Sequence, residues 1–295
     1  MKHKTVLLHE AVDGLELSKN SVVVDATFGS GGHAREIVTK LSAKGTYIGI
    51  DADETAFKGQ SLGSTKATIH LVNDNFQNIT NILRSLHIEK VDAILADLGW
   101  RIEQFSGSGK GFSFNVDEPL HMTFGNPADY TFTAHDIIND WEEETLANIF
   151  YGYAEERFSR RIAKGIIEAR KEDIISSTFQ LRDIIIDSLP RKAKYKSLHP
   201  ATKAFQALRI AVNDELGVLE SFLKDAFTHL EINGKLAIIS FHSIEDRIVK
   251  HYFRELVQAG VAEHTPKKPI SPSEEELMEN PRARSGKLRI IRKIE

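Results

Sequence analysis

The sequence predicts an α/β fold built on a mainly parallel sheet. Residues 22–24 form a short β-branched apolar run, which is typical of a strand buried on both faces. Apolar runs of strand length recur at 46–50, 67–72 and 91–99. Helical patterns lie between these runs, and such alternation is typical of parallel sheets, whose ligands lie at the carboxyl ends of the strands.

A glycine cluster, Gly29, Gly31 and Gly32, separates the first predicted strand, 21–25, from a helix predicted at 33–43. Glycine is needed where the backbone takes a positive φ angle or approaches a ligand closely. The amides that open the next helix form an anion site. We therefore expect a ligand above this turn, although the glycines by themselves fit a simple tight turn equally well.

Two acidic residues indicate which ligand the turn binds. Asp25 ends the first strand, where its charge would repel the pyrophosphate of a dinucleotide and attract an ammonium group. Asp51 ends the second strand, where an acid accepts hydrogen bonds from ribose hydroxyls. Both acids suit S-adenosylmethionine, which carries a sulfonium and an ammonium group and no phosphate. The alternatives are a nicotinamide-binding oxidoreductase and acids that merely cap loops.

Two more residues fall at predicted strand ends. Phe76 follows the third strand, where its ring either stacks on an adenine or belongs to the core. Asp97 ends the fourth strand. The coincidence of several such residues at one edge of the sheet argues for a binding site more strongly than any single residue does.

Composition excludes several classes of protein. The chain has 295 residues, of which 41% are hydrophobic and 27% charged, as in ordinary globular proteins. It contains no cysteine, so disulfides, thiolate metal sites and a cysteine nucleophile are excluded. No metal-ligand spacing such as HExxH occurs, so we predict no metal. Without a membrane-length apolar run or a signal peptide, the protein is expected in the cytoplasm.

Charge is distributed unevenly along the chain. The net charge is −4, but the segment from Arg157 to Arg209 contains thirteen Lys and Arg residues against five Asp and Glu residues. Such an excess either forms a phosphate-facing surface or covers the solvated faces of helices.

The alternation of strands and helices stops near residue 100. Residues 100–132 are rich in glycine, serine, phenylalanine and proline and predict a long structured loop. The pattern then becomes helical. We predict a mainly helical, substrate-recognition insertion over 105–198 within an α/β domain made of 1–104 and 199–295.

Local signals predict further element boundaries. A helix is expected at 53–60, and a helix or a helix pair at 199–230. Ser177 or Thr178 is expected to cap one helix of the insertion, and Ser243 to cap a helix near the carboxyl end.

Long motifs resemble one family. DATFGSGGH, FQALRIAVNDEL, FHSIEDRIVK and NPRARSGKLR are similar to motifs of the MraW-type (cytosine-N4)-methyltransferases of bacterial small-subunit ribosomal RNA, and the resemblance spans nearly the whole chain. It implies a seven-stranded, mostly parallel, Rossmann-like methyltransferase sheet with an inserted helical domain. It also implies S-adenosylmethionine as methyl donor and a cytosine of the decoding region as acceptor.

The resemblance implies a set of cofactor contacts. Asp97 either contributes electrostatically to methyl transfer or only orients the cofactor. The implied contacts are Gly31, Gly32, His33, Asp51, Phe76, Asp97 and Gln104.

An RNA acceptor requires contacts to phosphates and to the base. Lys203, Arg209, Arg282 and Arg284 are the predicted phosphate contacts. His242 either touches the base or closes a turn between a strand and a helix. The expected partner is the small ribosomal subunit or its RNA, without DNA or a membrane.

This chain departs from the family pattern at two places. Trp100 and Arg101 replace small hydroxyl residues, and His121 and Thr123 stand where the family has an acid and an arginine. One interpretation is a compensated variation with the same reaction. The other is a non-catalytic RNA-binding or ribosome-assembly factor that retains the cofactor site.

Overall fold

The structure is a computed structural model that describes residues 4–98, 107, 109–193 and 198–295. Within these residues no helix is long and apolar enough to cross a membrane. The same part of the chain holds no group of three or more histidine or acidic side chains suited to a metal ion.

Seven strands form one sheet, in the order β3-β2-β1-β4-β5-β7-β6. Neighbouring strands from β3 to β5 pair in parallel, whereas β7 pairs antiparallel with both β5 and β6. This confirms the predicted seven-stranded, mostly parallel sheet. The strands are β1 (Val22–Asp25), β2 (Thr46–Asp51), β3 (Thr68–Asn73), β4 (Val91–Asp97), β5 (Leu230–Ser240), β6 (Ala262–His264) and β7 (Lys287–Lys293).

Eleven α-helices occur in the described part of the chain. The six from α4 to α9 lie between β4 and β5 in the sequence. The helices are α1 (Leu8–Gly14), α2 (Gly32–Lys40), α3 (Ile79–Ser85), α4 (Ala134–Asp140), α5 (Glu143–Ala154), α6 (Ser159–Ala169), α7 (Thr178–Ser188), α8 (Thr202–Asn213), α9 (Glu215–His229), α10 (Ser243–Gln258) and α11 (Glu274–Glu279).

Successive side chains of a strand point to opposite faces of the sheet, and in the central strands the side chains on both faces are buried. Val23 and Tyr47 pack in the core on one face of the sheet. Val24, Ile48 and Ile94 pack in the core on the other face. Helices cover the two faces, which leaves the carboxyl edge of the sheet as the place for polar side chains.

The chain divides into two compact units, one made of Met1–Trp100 and Gly217–Glu295 and the other of Arg101–Leu216. The predicted insertion ended at residue 198, whereas the second unit extends further. The reason is α8, whose Phe205 and Leu208 belong to the same core as the preceding helices.

The second unit has a core of its own. Leu146 and Phe150 of α5 and Ile162 of α6 are buried in it. Ser177 caps α7 and forms a capping box with Gln180, as predicted for one of the two candidate caps.

Two local predictions were wrong and one ambiguity is settled. The helix expected at 53–60 is a single 3₁₀ turn, Glu54–Phe57, that ends before Gly59, which has a positive φ angle. The cap of α10 is His242 rather than Ser243, because β5 ends at Ser240 and the chain remains extended through His242. The segment 199–230 is a helix pair, separated at Asp214 by a left-handed residue.

Candidate functional site

The turn between β1 and α2 requires glycine for two physical reasons. Gly29 and Gly31 have backbone φ angles of +57° and +72°, which residues other than glycine rarely adopt. A Cβ atom on Gly32 would lie 1.7 Å from Oγ1 of Thr5, so the backbone approaches another side chain closely at the start of α2. The turn therefore has a fixed backbone conformation directly before the amides that open α2.

Asp51 connects this turn to the end of β2. Its Oδ2 accepts a 2.7 Å hydrogen bond from the Gly29 amide, and its Oδ1 accepts one of 2.9 Å from the Asp53 amide. The Asn73 side chain, at the end of β3, donates to the Asp51 carbonyl oxygen at 2.9 Å. Each carboxylate oxygen has two lone pairs, so Asp51 can accept further hydrogen bonds from a ligand while it holds the turn.

Asp97 lies at the end of β4, on the other side of the same turn. Its Oδ2 lies 3.9 Å from Nδ1 of His33, in the first turn of α2. The Asp97 amide donates a 2.6 Å hydrogen bond to Oγ1 of Thr27. The Asp97 side chain is 16% exposed, so a carboxylate reaches the surface of the sheet edge beside a nearly buried imidazole.

Asp25 lies beneath the turn and is almost completely buried. Its two oxygens accept hydrogen bonds from the Tyr47 hydroxyl at 2.8 Å and from the Thr27 amide at 3.3 Å. Burial raises the pKa of the Asp25 carboxyl to about 6, although these hydrogen bonds oppose the increase. The residue therefore supports the turn from the interior, whereas the sequence suggested that it faces the ligand.

Phe76 follows β3 on the same edge. It opens a 3₁₀ turn that is capped by Asn75, whose side chain accepts from the Gln77 amide at 3.0 Å. The Phe76 ring packs edge-on against Phe222 at 4.9 Å between centroids and remains partly exposed. A partly exposed ring at this position suits stacking on a planar ligand group.

The structure thus brings most of the predicted cofactor contacts to one edge of one sheet. Asp51 is hydrogen-bonded to Gly29 of the turn, and Asp97 is hydrogen-bonded to Thr27, which lies just before it. Phe76 follows β3, the neighbour of β2. Gln104 lies outside the described residues. Sequence reasoning missed Thr27 and Tyr47. The sequence feature that could have identified them is a hydroxyl side chain in or beside an apolar strand, where it can reach an acid at a strand end.

Comparisons with known proteins identify the family. The chain matches the MraW methylase family over residues 1–294. It belongs to this family. Membership in a methylase family confirms the predicted methyltransferase class and, with it, S-adenosylmethionine as the cofactor.

Individual relatives match over their full lengths. The chain is 43% identical to the ribosomal RNA small subunit methyltransferase H of Clostridium botulinum strain Loch Maree, over 99% of each chain. It is 41% identical to the protein of that name from Halothermothrix orenii, over 100% of this chain and 99% of the relative. A solved rRNA methylase from Streptococcus thermophilus aligns over 100% of this chain and 99% of that chain, with 15% identity and a TM-score of 0.46.

Three of the predicted RNA contacts of this MraW methylase lie in the first unit. His242 caps α10: its Nδ1 accepts from the Glu245 amide at 3.3 Å, and its Nε2 lies 3.0 Å from Glu245 Oε1. This geometry supports the turn-closing role of His242. Arg282 and Arg284 are exposed on a 3₁₀ turn, Pro281–Ser285.

The other two predicted phosphate contacts lie in the second unit. The Lys203 ammonium donates to the Glu155 carbonyl oxygen at 2.8 Å. Arg209 donates to both carboxylate oxygens of Glu215, at 2.7 and 3.0 Å. Such a bidentate pair is typical of a structural contact, because the carboxylate already neutralises the guanidinium.

The departures from the family pattern have different local surroundings. Thr123 is completely buried and donates to the Gly125 carbonyl oxygen at 3.2 Å. His121 is partly exposed, and its backbone carbonyl oxygen accepts from the Ala134 amide at 3.1 Å. Trp100 and Arg101 lie outside the described residues.

Proposed function

We propose that this protein transfers a methyl group from S-adenosylmethionine to the exocyclic N4 amine of a cytosine in the decoding region of small-subunit ribosomal RNA, in the cytoplasm. The observation that carries the proposal is the arrangement of Asp51 and Asp97 around the glycine turn in a member of a methylase family. The full-length relatives are named ribosomal RNA small subunit methyltransferases, which favours a ribosomal RNA of the small subunit as acceptor.

The donor set fits S-adenosylmethionine in its chemistry. Asp51 retains acceptor capacity for ribose hydroxyls, and the amides that open α2 suit a carboxylate. Phe76 offers a partly exposed aromatic ring for an adenine. Asp97 places a negative charge where a cationic sulfonium is favoured. When bound, S-adenosylmethionine supplies an electrophilic methyl group.

Positioning accounts for much of the proposed catalysis. The cytosine amine is a poor nucleophile, because its lone pair is delocalised into the ring. Holding the amine in line with the methyl group, roughly 3 Å away, lowers the entropic part of the barrier. We assign the electrostatic contribution to Asp97, held through its amide by Thr27 and flanked by His33. The chain has no cysteine, so an adduct through a cysteine sulfur plays no part.

The acceptor base must leave its stack to reach the donor. We assign RNA phosphate contacts to Lys203, Arg282 and Arg284, which carry accessible positive charge. Arg209 belongs to the same predicted set, and its pairing with Glu215 favours a structural role. His242 also belongs to the predicted RNA contacts, and its capping of α10 favours the turn-closing role over a contact to the base.

The test is methyl transfer to a defined acceptor. The protein is incubated with labelled S-adenosylmethionine and small ribosomal subunits from cells that lack the enzyme, and the RNA is digested to nucleosides. Label in N4-methylcytidine supports the proposal. If the protein binds the donor and the subunit but transfers no label, the result would support the non-catalytic assembly factor. The sequence changes that favour this alternative are at Trp100, Arg101, His121 and Thr123. Tight NADH binding without a response to S-adenosylmethionine would support the oxidoreductase.

A further inference from the structure

The exposed face of α6 carries positive charge at its amino-terminal end. Arg160, Arg161 and Lys164 are exposed, whereas Ile162 and Ile166 are buried in the core of the second unit. Residues three and four positions apart are neighbours on a helix surface, so the three cations form one stripe. Arg157, just before the helix, is also exposed and lies over the Phe158 ring at 5.4 Å. We call these four residues the α6 basic surface.

None of the four has a carboxylate within salt-bridge distance, 4.0 Å, among the described residues. Other arginines of the same unit are engaged. Arg170 donates to the carbonyl oxygens of Ile138 and Trp141, at 2.8 and 2.9 Å. Arg182 and Arg209 pair with Asp183 and Glu215. Among the described residues, Arg182 and Arg209 thus pair with carboxylates, whereas the α6 basic surface forms no salt bridge.

The position of these charges is unfavourable for the helix. Cations at a helix amino terminus oppose the helix dipole, and like charges one turn apart repel each other. The first turn of α6 holds no acidic residue, and its basic residues are Arg160 and Arg161. A sequence that breaks a local rule without a structural gain is typical of a functional surface.

Neighbouring side chains indicate the type of anion that fits. Lys203 is held against the chain that leads into α6, through the Glu155 carbonyl oxygen. Tyr151, one turn before Glu155, is 65% exposed. Tyr151 lies on α5, the helix that directly precedes α6 in the sequence. Exposed aromatic rings and positive charge occur together in proteins that bind single-stranded nucleic acid, because unstacked bases accompany the phosphates.

We propose that the α6 basic surface binds the sugar–phosphate backbone of single-stranded ribosomal RNA outside the nucleotide that is methylated. The proposal rests on the proposed function, because it assumes an RNA acceptor. It adds a second contact area, in which Arg160, Arg161 and Lys164 hold phosphates and Tyr151 stacks on a base. Counter-charge from RNA would remove the repulsion that the protein alone leaves in place.

The test compares charge removal on this surface with charge removal at the opposite, carboxyl-terminal end of α6. The variant Arg160→Gln/Arg161→Gln and the variant Lys164→Gln are compared with Lys171→Gln, which removes an exposed lysine that follows α6 beside Glu172. The affinity for naked small-subunit RNA is measured at several salt concentrations. We expect weaker binding in the first two variants, with a salt slope lower by about 1 for each cation removed, and little change in Lys171→Gln.

Two further readouts separate the possible outcomes. The melting temperature of the first two variants should equal or exceed that of the unmodified protein, because the substitutions relieve repulsion; a lower value would indicate a structural role and overturn the proposal. Unchanged RNA affinity, or loss confined to assembled subunits, would also overturn it, the latter in favour of a ribosomal protein. Binding of S-adenosylhomocysteine should stay normal in every variant, so failure of the donor site is recognised separately.

A third variant tests the aromatic contact. Tyr151→Leu leaves the charge unchanged, so we expect weaker RNA binding with an unchanged salt slope. If Tyr151→Leu binds RNA as tightly as the unmodified protein does, Tyr151 does not stack on a base, and the proposal that this surface binds single-stranded RNA is wrong.

Discussion

The hydroxyl of Tyr47 donates a 2.8 Å hydrogen bond to Oδ2 of Asp25, and both side chains are buried where β1 and β2 lie side by side. Burial and the neighbouring carboxylate raise the pKa of the Tyr47 phenol, so it stays protonated and acts as a donor. The pair lies directly before the glycine turn. Its state of protonation is therefore coupled to the backbone that forms the candidate cofactor site.

Replacement of Tyr47 tests this coupling. In Tyr47→Phe the Asp25 carboxylate loses a hydrogen bond that favours its charged form, so the pKa of Asp25 should rise above about 6. Carboxyl carbon resonances followed by NMR over a pH series measure this value. A pKa that stays the same or falls would contradict the account of the pair.

Stability should depend on pH through Asp25. Its pKa is about 6 in the folded protein against an ordinary value of 3.8, so the folded state binds the proton more tightly. The stabilisation from this group is complete below pH 3.8 and is lost as the pH rises through about 6, a change of about 3 kcal/mol. Asp25→Asn removes this dependence. Relative to the unmodified protein, its free energy of unfolding should therefore increase between about pH 4 and about pH 7, as measured with denaturant.

Parallel stability curves for the two proteins over that range would show that Asp25 does not titrate there. The comparison is internal, because every other titrating group is common to both proteins.

Asp51→Ala should weaken cofactor binding by about 1–3 kcal/mol, because it removes a charge-assisted hydrogen bond to ribose. Calorimetry with S-adenosylhomocysteine measures the change. Asp53→Ala is the matched control: it removes a carboxylate two residues away that accepts from the Thr55 amide at 2.9 Å. Equal affinities for the Asp51 variant and the unmodified protein would remove Asp51 from the site.

Gly32→Ala should destabilise the protein by about 1–3 kcal/mol, because the new Cβ would overlap the Thr5 side chain. Combining it with Thr5→Gly should recover much of the loss in a double-mutant cycle of unfolding free energies. Gly152→Ala, at a helical position in α5 with no heavy atom within 4 Å, is the control and should be neutral or slightly stabilising. A Gly32→Ala effect no larger than that of the control would show that close packing does not require this glycine.

Much of the first unit could be predicted from sequence, because its signals are local. The apolar runs predicted the strands from β1 to β4, and the glycine cluster predicted a turn with positive φ angles. Asp51 and Asp97 could be placed at one edge because parallel strands bring their carboxyl ends together.

Other features depend on contacts that sequence spacing does not contain. The burial of Asp25 is set by the strand register that brings Tyr47 beside it. The second unit extends through α8 because Phe205 packs with helices far away in sequence. Arg209 was predicted to contact phosphate because it is an arginine in a basic segment of the sequence. Only the tertiary structure shows its bidentate pairing with Glu215.

The central claim is that carboxylates at adjoining strand ends hold a cationic methyl donor above the glycine turn. A crystal structure with S-adenosylhomocysteine tests it most directly. The account predicts the ribose hydroxyls within hydrogen-bond distance of Asp51, the adenine against Phe76 and the sulfur beside Asp97. A nucleoside bound away from these three side chains would contradict it.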